Sequence, residues 1–136
     1  MENQKSAIGL DGNLAAALGY PIGLIALILI FIEKDNKFVR FHAIQSLLWG
    51  LLLGIVWSIA LVLTILLFFG GALAGAATNS GIIGIIVSLL GWVAFLLLFI
   101  LGIVWFASII FAAVKSYGGA KFSFPLVGKF AEKWSS

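Results

Sequence analysis

The polar residues best placed to do chemistry are gathered in one short stretch, Phe38 to Gln45. It holds the only arginine of the chain, Arg40, and the only histidine, His42, with Gln45 one helical turn further on. An imidazole can serve as a general base, a metal ligand or a hydrogen-bond partner. Two interpretations stay open at this point. His42 and Gln45 either anchor the start of a helix by bonding nearby backbone, or they contact a ligand or a partner.

Catalysis and metal binding find little support in the residues around this stretch. A lone histidine does not make a metal site without carboxylates or thiolates, and the chain has no cysteine. The serines are scattered and lack a G-x-S-x-G motif. The sequence therefore predicts no catalytic residue, no cofactor, no metal site and a protein that is not an enzyme.

The composition indicates that lipid is the solvent of this chain. Hydrophobic residues make up 63% and charged residues 10%, against roughly 45–50% and ~25% in soluble domains. No Asp, Glu, Lys or Arg occurs among the 74 residues from Phe41 to Val114. The net charge of +3 comes from basic residues at the ends of apolar runs. This placement fits lipid headgroups better than nucleic acid.

The apolar runs predict an all-α integral membrane protein with three transmembrane helices and a short C-terminal amphipathic interfacial helix. The first run, of 19 residues, would be about 28 Å long, enough to cross a ~30 Å hydrocarbon core with a kink at Pro21. The predicted single membrane domain, 1–136, consists of a polar tail 1–13, helices 14–32, 38–69 and 82–114, and a tail 115–136 containing the interfacial helix 125–134. Residues 70–81, rich in glycine, alanine and small polar residues, are predicted to form a loop.

The distribution of cations predicts the orientation. Three crossings would leave Lys5 alone on one face. The other face would receive seven cations, namely Lys34, Lys37, Arg40, Lys115, Lys121, Lys129 and Lys133. The positive-inside rule then predicts a multi-pass protein of the cell membrane with its N-terminus outside and its C-terminus in the cytoplasm.

Each predicted helix carries small residues at a spacing of three or four, which allows close helix packing in lipid. These predicted packing residues are Gly19 and Gly23 in the first helix, Ser46, Gly50, Gly54 and Ser58 in the second, and Gly84, Ser88 and Gly91 in the third. They either hold one three-helix unit together or form a homo-oligomer interface.

The cytoplasmic tail is expected to meet the His42 stretch. Both segments flank a membrane span on the same side, and half-hydrated polar side chains need partners. We therefore expect His42 or Gln45 to form a hydrogen bond with the tail between Tyr117 and Pro125. The alternative is a mobile tail, with both side chains turned toward lipid headgroups.

Two separated motifs carry a family resemblance. The first is Phe38-Val39-Arg40-Phe41-His42-Ala43-x-Gln45, preceded by a Pro21-containing run. The second is Ala113-x-Lys115-x-Tyr117-x-Gly119 followed by Phe124-Pro125-Leu126-Val127-Gly128-Lys129-x-Ala131-Glu132-Lys133. Together, over roughly residues 14–134, they resemble the small membrane proteins related to the twenty-kilodalton subunit of the chloroplast inner-envelope translocon, the Tic-type family. The signature residues that the resemblance implies are Pro21, Phe38, Arg40, Phe41, His42, Gln45, Tyr117, Gly119, Pro125 and Gly128. Two departures are Ser46, where the family often has alanine, and three predicted spans where plastid members have four.

The resemblance implies a non-enzymatic scaffold or accessory component in protein transport or membrane assembly, with structural motif residues. The alternative is an oligomeric transporter or channel for small solutes or ions, built around the stripe from Ser46 to Ser58. The expected partners are the lipid bilayer and either further copies of the chain or other membrane proteins, with no nucleic acid.

Overall fold

A computed structural model describes residues 4–136, all of whose regular elements are helices. Residues 1–3 of the predicted polar tail lie outside the described residues. In chain order the helices are α1 (Gly12–Leu18), α2 (Gly23–Ile32), α3 (Lys37–Ala77), α4 (Gly81–Tyr117) and α5 (Val127–Ser135).

The predicted first span, 14–32, is two short helices instead of one kinked helix. Pro21 has no N–H to donate and disfavours helical geometry in the residue before it. Ile22 follows with φ −119° and ψ 84°, outside the helical region. The 7 residues of α1 and the 10 of α2 would be about 10 and 15 Å long, so neither crosses a membrane alone.

The two ends of this segment lie together, which makes α1 and α2 a hairpin. The backbone N–H of Ala7 donates to Glu33 Oε2 at 2.6 Å, and Asn36 Nδ2 donates to the Gln4 carbonyl at 2.9 Å. A core of small and aliphatic side chains fills the hairpin and the start of α3, namely Ala15, Ala26, Leu29, Val39 and Ala43. The third crossing and the external N-terminus are therefore not confirmed.

α3 is longer than the predicted helix 38–69, and the predicted loop 70–81 is mostly helical. The helix continues through the small residues to Ala77, and residues 78–80 alone make the turn into α4. Asn79 takes the left-handed φ of 50° that this tight turn requires. Alanine favours helix, and the glycines are tolerated because they let the partner helix approach closely.

The described residues form two separate units: residues 4–52 with 106–136, and residues 53–105. The first holds α1, α2, the start of α3, the end of α4, and α5. The second is a pair of helices whose outer faces are apolar, with exposed side chains such as Ile59, Leu66, Leu89, Leu96 and Phe99.

α3 and α4 are long and apolar enough to cross a membrane. Only 6% of the most apolar stretch of each is buried within the protein, whereas the core helix of a soluble protein would be mostly buried. These faces need lipid as their solvent, so α3 and α4 are candidate membrane spans.

The close approach of α3 and α4 in the second unit differs from the predicted one. A Cβ added to Gly71 would come within 2.8 Å of the Ser88 backbone nitrogen, and one added to Gly75 would lie 3.1 Å from the Gly84 Cα. Gly91 lies against Phe68. Gly84 and Ser88 of α4 thus lie against Gly71 and Gly75 of α3, two glycines that fall in the predicted loop 70–81.

The predicted stripe of α3 is not a tight contact within the chain. A Cβ at Gly50 would meet nothing within 4 Å, and one at Gly54 would lie 3.8 Å from Trp105. The Ser46 and Ser58 hydroxyls donate to carbonyls of their own helix. In the hairpin, Gly19 packs against Ala26, whereas Gly23 faces open space.

Candidate functional site

The break between α1 and α2 and the first turns of α3 bring three polar side chains together in the first unit. His42 and Gln45, three residues apart, lie on one face of α3. Tyr20 comes from the segment beside Pro21, where the helix is interrupted. His42 and Gln45 are fully buried and Tyr20 is 6% exposed. Buried polar groups of this kind need hydrogen-bond partners.

The three side chains form a chain of hydrogen bonds. Gln45 Nε2 donates to the Tyr20 hydroxyl at 2.7 Å, and that hydroxyl lies 2.9 Å from His42 Nδ1. Tyr20 therefore links α3 to the α1–α2 hairpin from the hairpin's turn.

Gln45 also binds the backbone of the C-terminal tail. Its Nε2 donates to the Phe122 carbonyl at 2.9 Å, and the Phe124 N–H donates to its Oε1 at 3.0 Å. The expected hydrogen bond between the His42 stretch and the tail is thereby confirmed, with Gln45 making it. One side chain joins the start of α3, the hairpin and the tail.

The tail backbone determines how the amide of Gln45 is oriented. A flipped amide would set two carbonyl oxygens against each other at Phe122, and two N–H groups at Phe124. With Nε2 donating to Tyr20, the tyrosine proton is left to donate to His42 Nδ1. An imidazole that accepts this bond at Nδ1 carries its proton on Nε2.

The surroundings of His42 are aromatic. Phe38, Phe41 and Tyr20 meet the imidazole edge to face, with ring centroids 4.5, 5.0 and 5.8 Å away. Nε2 is buried and forms no hydrogen bond of good geometry with the described residues. The backbone of Ala120 is nevertheless close enough to interact with the imidazole. His42 is therefore a buried imidazole enclosed by aromatic rings.

The tail reaches Gln45 through a defined helix end. Gly119, with φ 75°, ends α4 in a Schellman motif: its N–H donates to the Ser116 carbonyl and the Ala120 N–H to the Lys115 carbonyl. A side chain at Gly119 would also meet Asn13 at 3.2 Å. The chain then turns back over the bundle toward Gln45.

The docked tail is held by aromatic packing as well. Phe124 stacks on Trp49 with centroids 4.3 Å apart, and Trp49 Nε1 donates to Ser108 Oγ at 2.9 Å. Gly128, at the start of α5, leaves room for Ser123 and Gln45, since a Cβ there would lie 3.2 Å from Gln45 Oε1. α5 begins two residues later than predicted, so Pro125 precedes the helix.

An ion pair lies on the surface of the tail. Lys121 Nζ donates to Glu132 Oε1 at 2.8 Å and sits 4.9 Å from the centre of the Phe41 ring. The hydrogen bond and the positive charge of Lys121 lower the pKa of Glu132 below its usual value. The pair is solvent-exposed, so it contributes little to stability.

The structure assembles some of the predicted signature residues and leaves others apart. Pro21, Phe38, Phe41, His42, Gln45 and Gly128 belong to or adjoin the network. Tyr117 is 64% exposed, and the Nε of half-buried Arg40 is enclosed without a hydrogen bond. Among the described residues no group of three His, Asp or Glu side chains could hold a metal ion.

Sequence reasoning missed Tyr20, and it placed the bonding groups of the tail between Tyr117 and Pro125 without singling out Phe122 and Phe124. Tyr20 carries the only polar side-chain group in the run 14–32, and a hydroxyl within an apolar segment signals a buried partner. Phe122 and Phe124 contribute a backbone carbonyl and a backbone N–H. Since nearly every residue type carries these groups, the sequence does not identify which residues supply them.

Comparisons with known proteins identify the family. Residues 7–131 match the MamF/MmsF family, described as the magnetosome magnetite crystal formation protein family. A UPF0132 membrane protein of Methanocaldococcus jannaschii is 35% identical over 132 residues, covering 96% of this chain and 94% of that protein. Another from the same organism is 30% identical, covering 94% and 73%, and one from Archaeoglobus fulgidus is 30% identical, covering 89% and 92%.

No solved structure matches the chain, and these matches show no link to the Tic-type family. The family match covers the α1–α2 hairpin, both candidate spans and most of α5, including every residue of the buried network. The chain is therefore a small membrane protein that belongs to the MamF/MmsF family.

Proposed function

We propose that the protein is a non-enzymatic membrane scaffold whose polar end is a preassembled module. The observation that carries the proposal is the bonding of Gln45 to Tyr20, Phe122 and Phe124. These contacts lock a hairpin, a helix start and a tail into one unit. A rigid surface that lies next to membrane spans is what a protein needs in order to hold a partner in a fixed place.

The same contacts support a structural role over a catalytic one. Both N–H groups of the Gln45 amide are occupied, and its oxygen accepts from the tail. The Tyr20 hydroxyl is bonded on both sides, and the imidazole is enclosed by rings. A catalytic group must reach a substrate, and these three side chains are buried.

The proposal includes a topology of two spans. α3 and α4 each cross the membrane, and the α1–α2 hairpin enters it and returns without crossing. The contacts of Ala7 with Glu33 and of Gln4 with Asn36 support this arrangement. Lys5 then joins the seven other cations, and the positive-inside rule places both ends of the chain in the cytoplasm.

The process that the scaffold serves is proposed from the sequence resemblance: accessory work in protein transport or membrane assembly, with other membrane proteins or further copies of the chain as partners. Magnetite formation is named in the family's description, and the proposal made here concerns the scaffold role alone.

The test is affinity purification of the full chain from native membranes, with Gln45→Leu and Tyr117→Phe compared with wild type. We expect the wild type and Tyr117→Phe to retain the same membrane-protein partners and Gln45→Leu to lose them. Purified protein that carries solute or ion flux in liposomes, and retains no partner, would instead support the oligomeric transporter.

A further inference from the structure

Helix α5 presents an apolar stripe that none of the residues 4–136 covers. Val127, Ala131 and Ser135 face inward and are buried, with Ala131 packed beside Phe41 and Ile44. On the outward side, Phe130 and Trp134 are one turn apart and are 55% and 52% exposed. Leu126, just before the helix, extends the stripe and is 73% exposed.

Two lysines border this stripe. Successive residues of a helix are about 100° apart around its axis. Lys129 and Lys133 therefore lie next to Phe130, on the side of α5 opposite its buried face. Both are exposed. The one ion pair among residues 4–136 joins Glu132 to Lys121. The acidic group of α5 is thus engaged elsewhere, and the two lysines keep their charge available.

An aromatic stripe next to unpaired cations matches the boundary between acyl chains and phosphate groups. Tryptophan and phenylalanine lie well at the depth of the headgroups, while lysine extends to the phosphates. An anionic leaflet attracts each basic residue near its surface. α5 follows a membrane-crossing helix after a short tail, so it lies close to that surface.

The geometry points to α5 as a binding site for anionic phospholipid headgroups, with Lys129 and Lys133 contacting phosphate and Phe130 and Trp134 inserted beside the acyl chains. This goes beyond the scaffold function, because it assigns a lipid class to a particular helix. It does not depend on any protein partner.

The test uses the full chain in nonionic detergent with equal amounts of phosphatidylglycerol and phosphatidylcholine, and native mass spectrometry to count the bound lipids. We expect wild type to retain phosphatidylglycerol at least fivefold over phosphatidylcholine. In the double variant Lys129→Gln/Lys133→Gln, the retention of phosphatidylglycerol should fall at least fivefold. The reason is that each basic residue contributes ~1 kcal/mol to binding an anionic lipid, which corresponds to about a fivefold change in affinity. Unchanged thermal midpoints would show that folding is intact.

The matched control is Lys34→Gln/Lys37→Gln, which removes the same charge from exposed positions outside α5. It should keep most of the preference. Equal retention of the two lipids by wild type overturns the inference, as does an equal loss in the two double variants. A change in oligomeric mass in the α5 variant, with lipid preference unaltered, would make the stripe a protein contact and would also overturn it.

Discussion

The Phe124 N–H donates to Gln45 Oε1 at 3.0 Å across 79 residues of sequence. Forming such a bond costs chain entropy, because most of α3 and all of α4 lie between the two residues that it joins. It is retained since a buried amide would otherwise lack a partner. The bond therefore marks where the tail joins the start of α3.

Gln45→Leu should release the tail. The substitution removes three hydrogen bonds and leaves the part-buried Phe122 carbonyl and the buried Phe124 N–H without their partner. We expect a loss of about 2–4 kcal/mol in the free energy of unfolding. Trypsin cleavage at Lys121 and Lys129, followed by mass spectrometry, should become faster by at least tenfold.

Ser58→Ala is the control for this loss. Its hydroxyl bonds only to the Gly54 carbonyl of its own helix and is exposed, so the change should stay within about 0.5 kcal/mol. Tail cleavage as slow in Gln45→Leu as in Ser58→Ala would show that aromatic packing alone holds the tail.

The two tyrosines of the chain offer a matched pair. Tyr20→Phe deletes the hydroxyl that joins Gln45 to His42, and should cost about 1–3 kcal/mol in thermal or denaturant unfolding because two buried groups lose a partner. Tyr117→Phe alters an exposed side chain and should change stability by less than about 0.5 kcal/mol. Equal effects in the two variants would argue against the buried network.

The tail contact could be predicted because His42 and Gln45 are polar groups at the edge of a long uncharged stretch. Their need for partners follows from burial alone. The particular partners could not be predicted, since Phe122 and Phe124 offer backbone atoms whose position depends on the Schellman turn at Gly119. Tyr20 was overlooked because the apolar run around it suggested lipid contact.

The hairpin was missed because the run 14–32 has the length of one membrane crossing, and two short apolar helices have the same composition as one long one. Pro21 predicts a kink within one helix, whereas the structure has two separate helices on either side of it. The contrary signal was Glu33, a carboxylate directly after the run that accepts backbone N–H groups from Ala7 and Asn36. The α3 extension was missed because glycines at a helix contact resemble glycines in a loop.

Gly71→Ala tests where α3 and α4 approach closely. Its new methyl group would meet backbone atoms of Gly84 and Ser88, and we expect a cost of about 1–3 kcal/mol from overpacking. Gly50→Ala faces open space and should be neutral or gain up to about 1 kcal/mol from helix propensity. Unfolding in mixed micelles measures both. A larger loss of stability in Gly50→Ala than in Gly71→Ala would show that the predicted stripe from Ser46 to Ser58 is the packing face.

Glu132 should titrate below the usual range of a glutamate. Because its pKa is lowered by Lys121, the ion pair stabilises the tail at neutral pH, and this contribution is lost as the pH falls through the lowered pKa. A carboxyl NMR titration of the labelled residue should show the depressed midpoint. In Lys121→Gln the midpoint should return toward the ordinary value, and an unchanged midpoint would show that the pair does not form in solution.

Single-cysteine labelling can determine the topology directly, since the chain has no cysteine of its own. With two spans and a hairpin that returns, Lys5→Cys and Ser136→Cys should react with a membrane-impermeant maleimide from the same face. Asn79→Cys, in the turn between α3 and α4, should react only from the opposite face. The reason is the pair of contacts that hold residues 4–7 beside residues 33–36. Reaction of Lys5→Cys from the face of Asn79→Cys would favour three crossings, with α1 and α2 together forming the first.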